Sequence, residues 1–596
     1  MLRHILPIFA FAAALLPCAA TAADRIILVG DSTVASGGGY GDYLCRRQRP
    51  DTVCLNLAKN GRSSGSFRAE GRWDQVLEHL RDGAGFGKTY VLVQFGHNDQ
   101  PGKPGRSTDL VREYPANLAR YVADVKAAGG VPVLVTSLTR RSLRKGYVWN
   151  DLAPWAAAAR EVGRREGAAV LDLNALSLAA VQAMGSAEAD SLAQPKGAGF
   201  DYTHLGPKGG RFFGDMAARE LVRLFPALGP LTDPADTARA AAREHAPADG
   251  WAGMEGGTRG GSDAHAAAVH TVANRNELLA ALAAAPVTAG AARIIQVRGT
   301  IDMAEGASPG MVRLASNTTL IGLGEDAGFI NASIVVANAS QVIVRNLTIV
   351  NPCDPAPKWD PQDGANGNWN SRYDGITITG SRHVWIDHNS FTDAPRTDGQ
   401  APKENGMLKQ CHDGALDITG ASDFVTVSHN HFALHEKNTL VGGSDGASGD
   451  QGHLRVTFSN NFFEYVTARA PRVRFGQVHL FNNYHKGSRK HAEYAHGYSV
   501  GIAKQAQVII DANAYDIEGA RGCGDVMRNP GASEAGAVID RGSLLNGKVL
   551  SECGLPDNVA WTVPYSFTVL SAPDVQPNVM SNTGAGRLGR LRPAPR

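Results

Sequence analysis

One phrase recurs through the second half of this chain. It appears as "VIVRNLTIV", "VWIDHNSF", "VTVSHNHF", "LRVTFSNNFF", "VHLFNNYH" and "VIIDANAY". Each copy is a short β-rich run that ends in Asn and then an aromatic or apolar residue, and the copies recur at roughly one or two multiples of ~20 residues. A unit this short cannot bury its apolar face alone, so the copies must stack. Stacked strands with Asn at each bend specify a parallel β-helix, in which recurrent Asn side chains bond the backbone of neighbouring coils. The same alignment reads the "HNH" at His429 to His431 as part of the ladder and not as a nuclease motif.

At 596 residues the chain exceeds what one hydrophobic core serves, and two domains are expected. Residues 24 to about 226 alternate strand-like runs ("RIILVG", "TYVLVQFG", "VPVLVTSL", "AAVLDL") with Ala/Arg/Leu-rich helical segments, the rhythm of an open α/β parallel sheet. Residues 227–246 belong to a stretch rich in Pro, Gly, Ala and Asp with no sustained apolar period and are read as a linker. Residues 247–596 form the second domain, where helical patterns vanish from about residue 290.

The N-terminus, "MLRHILPIFAFAAALLPCAATAAD", has one Arg, a short apolar run and an Ala-x-Ala pattern, which predicts a secretory signal over residues 1–23. A lipoprotein signal ending at Cys18 is disfavoured by Pro17. No later stretch approaches the ~20 apolar residues of a spanning helix, so a soluble, exported protein is expected, extracellular or periplasmic. The six cysteines left after Cys18 suggest local disulfides: Cys45 with Cys54, Cys353 with Cys411, and Cys523 with Cys553. A net charge of +2 supplies no global field for nucleic acid or membrane. A monomer is expected.

In the first half, "VGDSTVA" places Ser32 directly after the first strand, where a strand-to-helix turn exposes a hydroxyl. "KNGRSS" with Gly61, "VQFGHND" with Asn98, and "DYTHLG" with Asp201 and His204 follow in order. A serine hydroxyl needs an imidazole to take its proton, and the imidazole needs a carboxylate to fix its tautomer. Backbone N–H groups at Ser32 and Gly61 and the Asn98 amide are candidate oxyanion donors. Through "GDSTVA", "NGRSS", "FGHND", "TSLTRRS" and "DYTHLG" this half resembles the SGNH hydrolases, and within them the rhamnogalacturonan and pectin acetylesterases. That resemblance implies a flavodoxin-like three-layer sandwich, Ser32 as nucleophile, Asp201 and His204 as its partners, an oxyanion hole of Ser32, Gly61 and Asn98, and no cofactor. His97 and Asp99 are read as structural.

In the second half "YDGITI" carries Asp374, "HDGALDITG" carries Asp413 and Asp417, "LHEKNTLVGGSD" carries Lys437, and "ARAPRVRFG" carries Arg469, Arg472 and Arg474. Asp413 and Asp417 are an even number of residues apart, which in an extended strand puts both carboxylates on one face. Oxygen donors with no His or Cys among them favour a hard cation such as Ca²⁺. Cations opposite an acidic metal site suit an anionic polymer held directly and through a bridging ion. "GGSDGASGD" is read as a loop, a single copy being weak evidence for a calcium repeat.

This half is similar to the pectate lyases of the parallel β-helix family through "GWAGMEGGTRGG", "RIIQVRGTI", "VWIDHNSF", "VTVSHNHF" and "RAPRVRFGQVHLFNNY". The resemblance implies a right-handed parallel β-helix, Ca²⁺ on Asp374, Asp413 and Asp417, substrate carboxylates held by Lys437 and Arg474, and Arg469 as the base of a β-elimination on galacturonan. Arg472 is read as a structural partner. Where some relatives carry a second acid two positions after Asp374, this chain has Ile376. The alternatives are a pectin lyase acting on methyl-esterified substrate and a β-helix that binds polysaccharide without cutting it.

Overall fold

The computed structural model describes residues 23–49, 52–83, 85–196, 199–284, 290–363, 366–531 and 533–588. Almost all of the expected signal segment therefore lies outside the described residues. No helix among them is long and apolar enough to cross a membrane.

The first domain is a five-stranded, wholly parallel sheet in the order Val53–Asn56, Arg25–Gly30, Thr89–Gln94, Val131–Val135, Ala169–Leu171. The run "RIILVG" is apolar at successive positions because both sheet faces are covered. Ile26 and Leu28 enter one core with Leu44, Val181 and Phe213, whereas Ile27 and Val29 enter the opposite core with Trp73, Tyr121 and Val162. Helices thus flank the sheet on both sides, giving three layers. The chain leaves Arg25–Gly30 for one neighbour and crosses to the other, so the carboxyl end of that strand is a topological switch point, the usual place for a site.

The second domain is a solenoid of parallel strands in three columns. One column stacks Gly310–Arg313, Ala332–Ala337, Ile376–Thr379, Leu416–Thr419, Leu440–Val441, Arg472–Val473, Val500–Ile502 and Met527–Arg528. Its inward positions form an aliphatic stack in register: Ile334, Ile376, Leu416 along one line and Ile378, Ile418, Val441, Val473, Ile502 along the next. Outward positions between them carry Thr377, Asp417 and Arg472.

Between the other two columns the recurring phrase makes a two-residue bend. The first bend residue adopts positive φ in coil after coil, at Asn346, His388, His429, Asn460, Asn482 and Ala512. The second is the fully buried ladder Asn389, Asn430, Asn461, Asn483, Asn513. From Asn430 onward each ladder Oδ1 accepts the backbone N–H of the preceding coil's ladder residue, at 2.8–3.0 Å. Two residues on, Phe391, Phe432, Phe463, His485 and Tyr515 stack inside the coils with centroids 4.6–5.1 Å apart. The aromatic that follows Asn in the phrase is this stack.

Two expectations are corrected. Within the stretch read as a linker, Pro234–Ala241 forms a helix whose Ala238 and Ala241 pack on Ile294, Ile321 and Leu323 of the solenoid. Its contact face is alanine, and at eight residues it is too short to build a sustained apolar period. Helices also do not vanish after residue 290, because Ala572–Asn582 is helical and buries Val575 and Val579 against Phe462, Tyr484 and Ala514. The three expected disulfides are formed. The domains are joined by buried ion pairs, Arg587 to Asp42 at 2.9 Å and Arg46 to Glu325 at 3.2 Å.

Candidate active sites

Ser32 follows the strand Arg25–Gly30 at the switch point, and 172 residues later His204 returns to place Nε2 2.9 Å from Ser32 Oγ. His204 Nδ1 lies 2.8 Å from Asp201 Oδ2, completing one chain of hydrogen bonds. Asp201 Oδ1 also accepts the backbone N–H groups of Thr203 and His204, at 2.8 and 3.0 Å. Partial burial works against its charge, but His204 and these N–H groups outweigh that and hold the carboxyl well below its usual range. The segment Gly199–Leu205 is a strand paired antiparallel with Ala193–Lys196, so the acid and base ride on a hairpin.

Residues that the sequence reading left without roles complete the frame. Buried Arg141 donates to the carbonyls of Asp201 and His204 at 3.1 and 2.6 Å, and Arg140 donates to Thr203 Oγ1. Asp99 is buried and accepts from Ser64 N, Ser64 Oγ, Gly96 N and Thr108 Oγ1, tying the loop that carries Gly61 to the loop that carries Asn98. Burial raises its carboxyl to about 6. His97 Nδ1 lies 3.3 Å from buried Asp31 behind the serine. Gly61 has φ +76°. Asn98 Nδ2 donates to the Arg62 carbonyl at 3.1 Å, while Arg106 donates to Asn98 Oδ1 at 3.3 Å and so orients the amide. Only the paired arginines of "TSLTRRS" signalled any of this in sequence.

In the solenoid, Asp374 lies just before the strand Ile376–Thr379 and accepts from Gly414 N at 3.0 Å and Thr377 Oγ1 at 2.6 Å. Asp417 sits on the next strand in register with Thr377 and accepts from Leu440 N at 3.0 Å. The two carboxylates meet over Gly414, where a Cβ would lie 2.5 Å from Asp417 Oδ1 and 3.1 Å from Asp374 Oδ1. Asp413 is not in a strand, so the expected even-spacing alignment with Asp417 is not what unites them. The irregular stretch that leads into the strand Leu416–Thr419 brings Asp413 beside the other two. Ile376 is fully buried in the core, so position 376 presents no side chain to the cleft.

Burial, reinforced by the Asp413 charge, pushes Asp374 up to about 6. Burial together with Asp374 drives Asp417 well upward, against the pull of Arg469. Lys437 Nζ is 3.9 Å from Asp413 Oδ1. Arg474 is largely buried, and it donates to Asp445 at 2.6 Å and the Gly442 carbonyl at 3.1 Å. Asp445 and Asp450 of "GGSDGASGD" are thus both spoken for, since Asp450 accepts from Ala421 N. Arg472 stays half-buried beside Arg474 and Arg469. Behind Asp413, His412 bonds Asp398 at 2.8 Å and His435 bonds Asp393 at 2.7 Å. The Cys353–Cys411 bridge ties the chain before Asp374 to the chain before Asp413.

The chain thus joins an α/β domain with a Ser–His–Asp chain to a parallel β-helix with an acidic and cationic cluster. The sequence model of the family described as "Pectate lyase" matches residues 230–588, and that of the "GDSL-like Lipase/Acylhydrolase family" matches residues 28–212. The chain belongs to the pectate lyase family, fused to a GDSL-like acylhydrolase domain. It is 33% identical over 393 residues to "Pectate lyase" of Bacillus subtilis (strain 168), covering 57% of this chain and 92% of that one. It is 38% identical over 376 residues to "Pectate lyase A" of Dickeya chrysanthemi, covering 58% and 90%. The solved structure of the thermostable pectate lyase PL 47 superposes with a TM-score of 0.54 at 33% identity, over 58% of this chain and 99% of that one. A pectate lyase bound to hexasaccharide superposes with a TM-score of 0.54 at 32% identity, over the same shares.

Proposed function

We propose that this protein is an exported bifunctional pectin-degrading enzyme. Residues 24–226 remove acetyl groups from pectic polysaccharide, and residues 247–596 cleave (1,4)-α-galacturonan by β-elimination. The observation that carries the reading is the Ser32–His204–Asp201 hydrogen-bonded chain on the same polypeptide as the convergent Asp374, Asp413 and Asp417. Deacetylation exposes galacturonan that the second site then cuts.

In the esterase, His204 accepts the Ser32 proton as the hydroxyl attacks the acetyl carbon, and Asp201 holds the imidazole tautomer and balances its charge. Ser32 N–H, Gly61 N–H and the Asn98 amide stabilise the oxyanion. His204 then returns the proton to the departing sugar hydroxyl, and water releases acetate.

In the lyase, three half-buried oxygen-donor carboxylates, two of them raised by desolvation and mutual repulsion, suit Ca²⁺ as a hard counterion. Asp374, Asp413 and Asp417 would hold it, and bound there it supplies positive charge beside a substrate carboxylate. Lys437 and Arg474 hold uronate carboxylates. Arg469 takes the proton next to the carboxylate as the neighbouring glycosidic C–O bond breaks, leaving an unsaturated sugar. Arginine keeps its proton in water, so this role calls for high pH. An alkaline optimum follows.

The test incubates purified protein with acetylated polygalacturonate, with and without a chelator, and follows acetate release and ultraviolet absorbance together. Acetate in both arms, with absorbance rising only without chelator, is expected. No absorbance rise with added calcium at alkaline pH refutes the lyase assignment, and no acetate refutes the esterase.

A further inference from the structure

The loops that follow Ser32 and His204 abut the solenoid. Gly37–Gly39 and Leu205–Pro207 form one wall of a cleft of about 270 Å³ whose other wall carries His431, Glu464 and Lys486. The two loops are themselves joined, Leu205 N donating to the Gly38 carbonyl at 3.0 Å. The wall is glycine: Gly37 has φ +86°, and a Cβ there would meet nothing within 4 Å, so the backbone leaves open space beside the serine loop. Asp42, Arg46 and Arg587, members of the two ion pairs that join the domains, line the same cleft.

The charge around this mouth is unbalanced. Lys59, two residues before Gly61, is exposed and makes no ion pair among the described residues. Besides partial burial, its ammonium is disfavoured by Arg72, Arg62 and Lys486, with Asp516 the one acid that offsets them. Arg62 and Arg72 share a single carboxylate, Glu70, at 2.9 and 2.7 Å. Lys486 likewise shares Glu464 with His431, at 2.7 and 3.2 Å. Lys59, Arg62, Arg72 and Lys486 thus share Glu70, Glu464 and Asp516. Lys486 lines the cleft with the serine and histidine loops, and Lys59 is held beside the strand that delivers Ser32, its backbone N–H donating to the Gly30 carbonyl at 3.0 Å.

We propose that Lys59 and Lys486 form a carboxylate-binding subsite at the esterase mouth, so that the β-helix domain supplies part of the polymer-binding site of the hydrolase and selects acetylated chains bearing uronate groups. This rests on the acetylesterase reading above. A neutral acetylated polymer gains nothing from either cation, whereas an acidic one replaces the mutual repulsion of two ammonium groups with attraction. The lyase domain then acts on the esterase as a specificity element as well as a second enzyme.

The experiment measures kcat/KM for acetate release from acetylated polygalacturonate and from acetylated xylan in the full-length protein, Lys59→Gln, Lys486→Gln, the double variant and Lys486→Arg. The polygalacturonate-to-xylan ratio is expected to fall about tenfold in the double variant, to be retained in Lys486→Arg, and to fall with added salt in the unmodified protein. An unchanged ratio in the double variant, with acetate still released from polygalacturonate, overturns the subsite and leaves the esterase reading standing. No acetate from either polymer, with p-nitrophenyl acetate still hydrolysed, overturns both.

Discussion

His204 Nε2 stands 2.9 Å from Ser32 Oγ across 172 residues of sequence, with Asp201 2.8 Å behind the imidazole. Ser32→Ala is expected to lower acetate release by at least ~10³-fold and to leave lyase absorbance intact. Arg469→Ala is expected to do the reverse. Parallel assays of both products in each variant check that the sites work independently.

Asn98 is held by Arg106 on one side and the Arg62 carbonyl on the other. Asn98→Ala should lower esterase kcat by ~10²–10³ with little change in KM, the signature of a donor used in the transition state. Arg106→Leu should lower kcat in the same direction by about tenfold, since it orients the amide without contacting the reacting atoms. Steady-state kinetics on p-nitrophenyl acetate separates kcat from KM.

Asp445 occupies one edge of the Arg474 guanidinium at 2.6 Å and also accepts from Ser533 at 2.5 Å. Asp445→Asn loosens Arg474, and lyase KM on polygalacturonate is expected to rise about three- to tenfold with kcat less affected.

Asn461 sits mid-ladder, donating to the Val427 carbonyl and Asn483 Oδ1 at 2.9 Å each and accepting from Asn430 N at 2.9 Å. Asn461→Ala leaves buried partners unpaired and should destabilise the solenoid by about 2–4 kcal/mol. Denaturant melts read the loss, with the esterase domain as internal reference.

Glu464 is half-buried, and its desolvation works against its charge, but His431 and Lys486 hold its carboxyl at about 2, below the ordinary 4.5. A depressed carboxylate stabilises the fold above its unfolded value and loses that contribution as pH falls from 4.5 toward about 2. Glu464→Gln should therefore lower the urea midpoint at neutral pH and narrow the gap between neutral and acid midpoints.

What could be read from sequence was whatever the fold must repeat or the chemistry must keep together. The ladder demands Asn once per coil, and the interior stack demands a planar ring two residues later, so both were visible as a phrase. Ser32, Asp201 and His204 lie in short blocks with local geometry of their own. Contacts between distant partners were not visible: Arg141 finds the His204 carbonyl 63 residues away, and Arg587 finds Asp42 across 545. Nor was the part played by Gly414, because its small size matters only once two carboxylates have converged above it. Pro234–Ala241 escaped because a helix of eight residues whose buried face is alanine is too short to show a sustained apolar period.

The ladder rungs are not evenly spaced along the chain. From Asn389 onward the intervals are 41, 31, 22 and 30 residues, yet each rung bonds the next in the same way. The coil of 22 residues is the shortest of these, and the longer ones spend their surplus outside the spine, where Asp398, Asp413 and Asp445 lie. The solenoid therefore registers its coils by amide and not by length. Such a spine tolerates remodelling of the cleft by insertion or deletion between rungs, whereas loss of a single asparagine strikes every coil that leans on it.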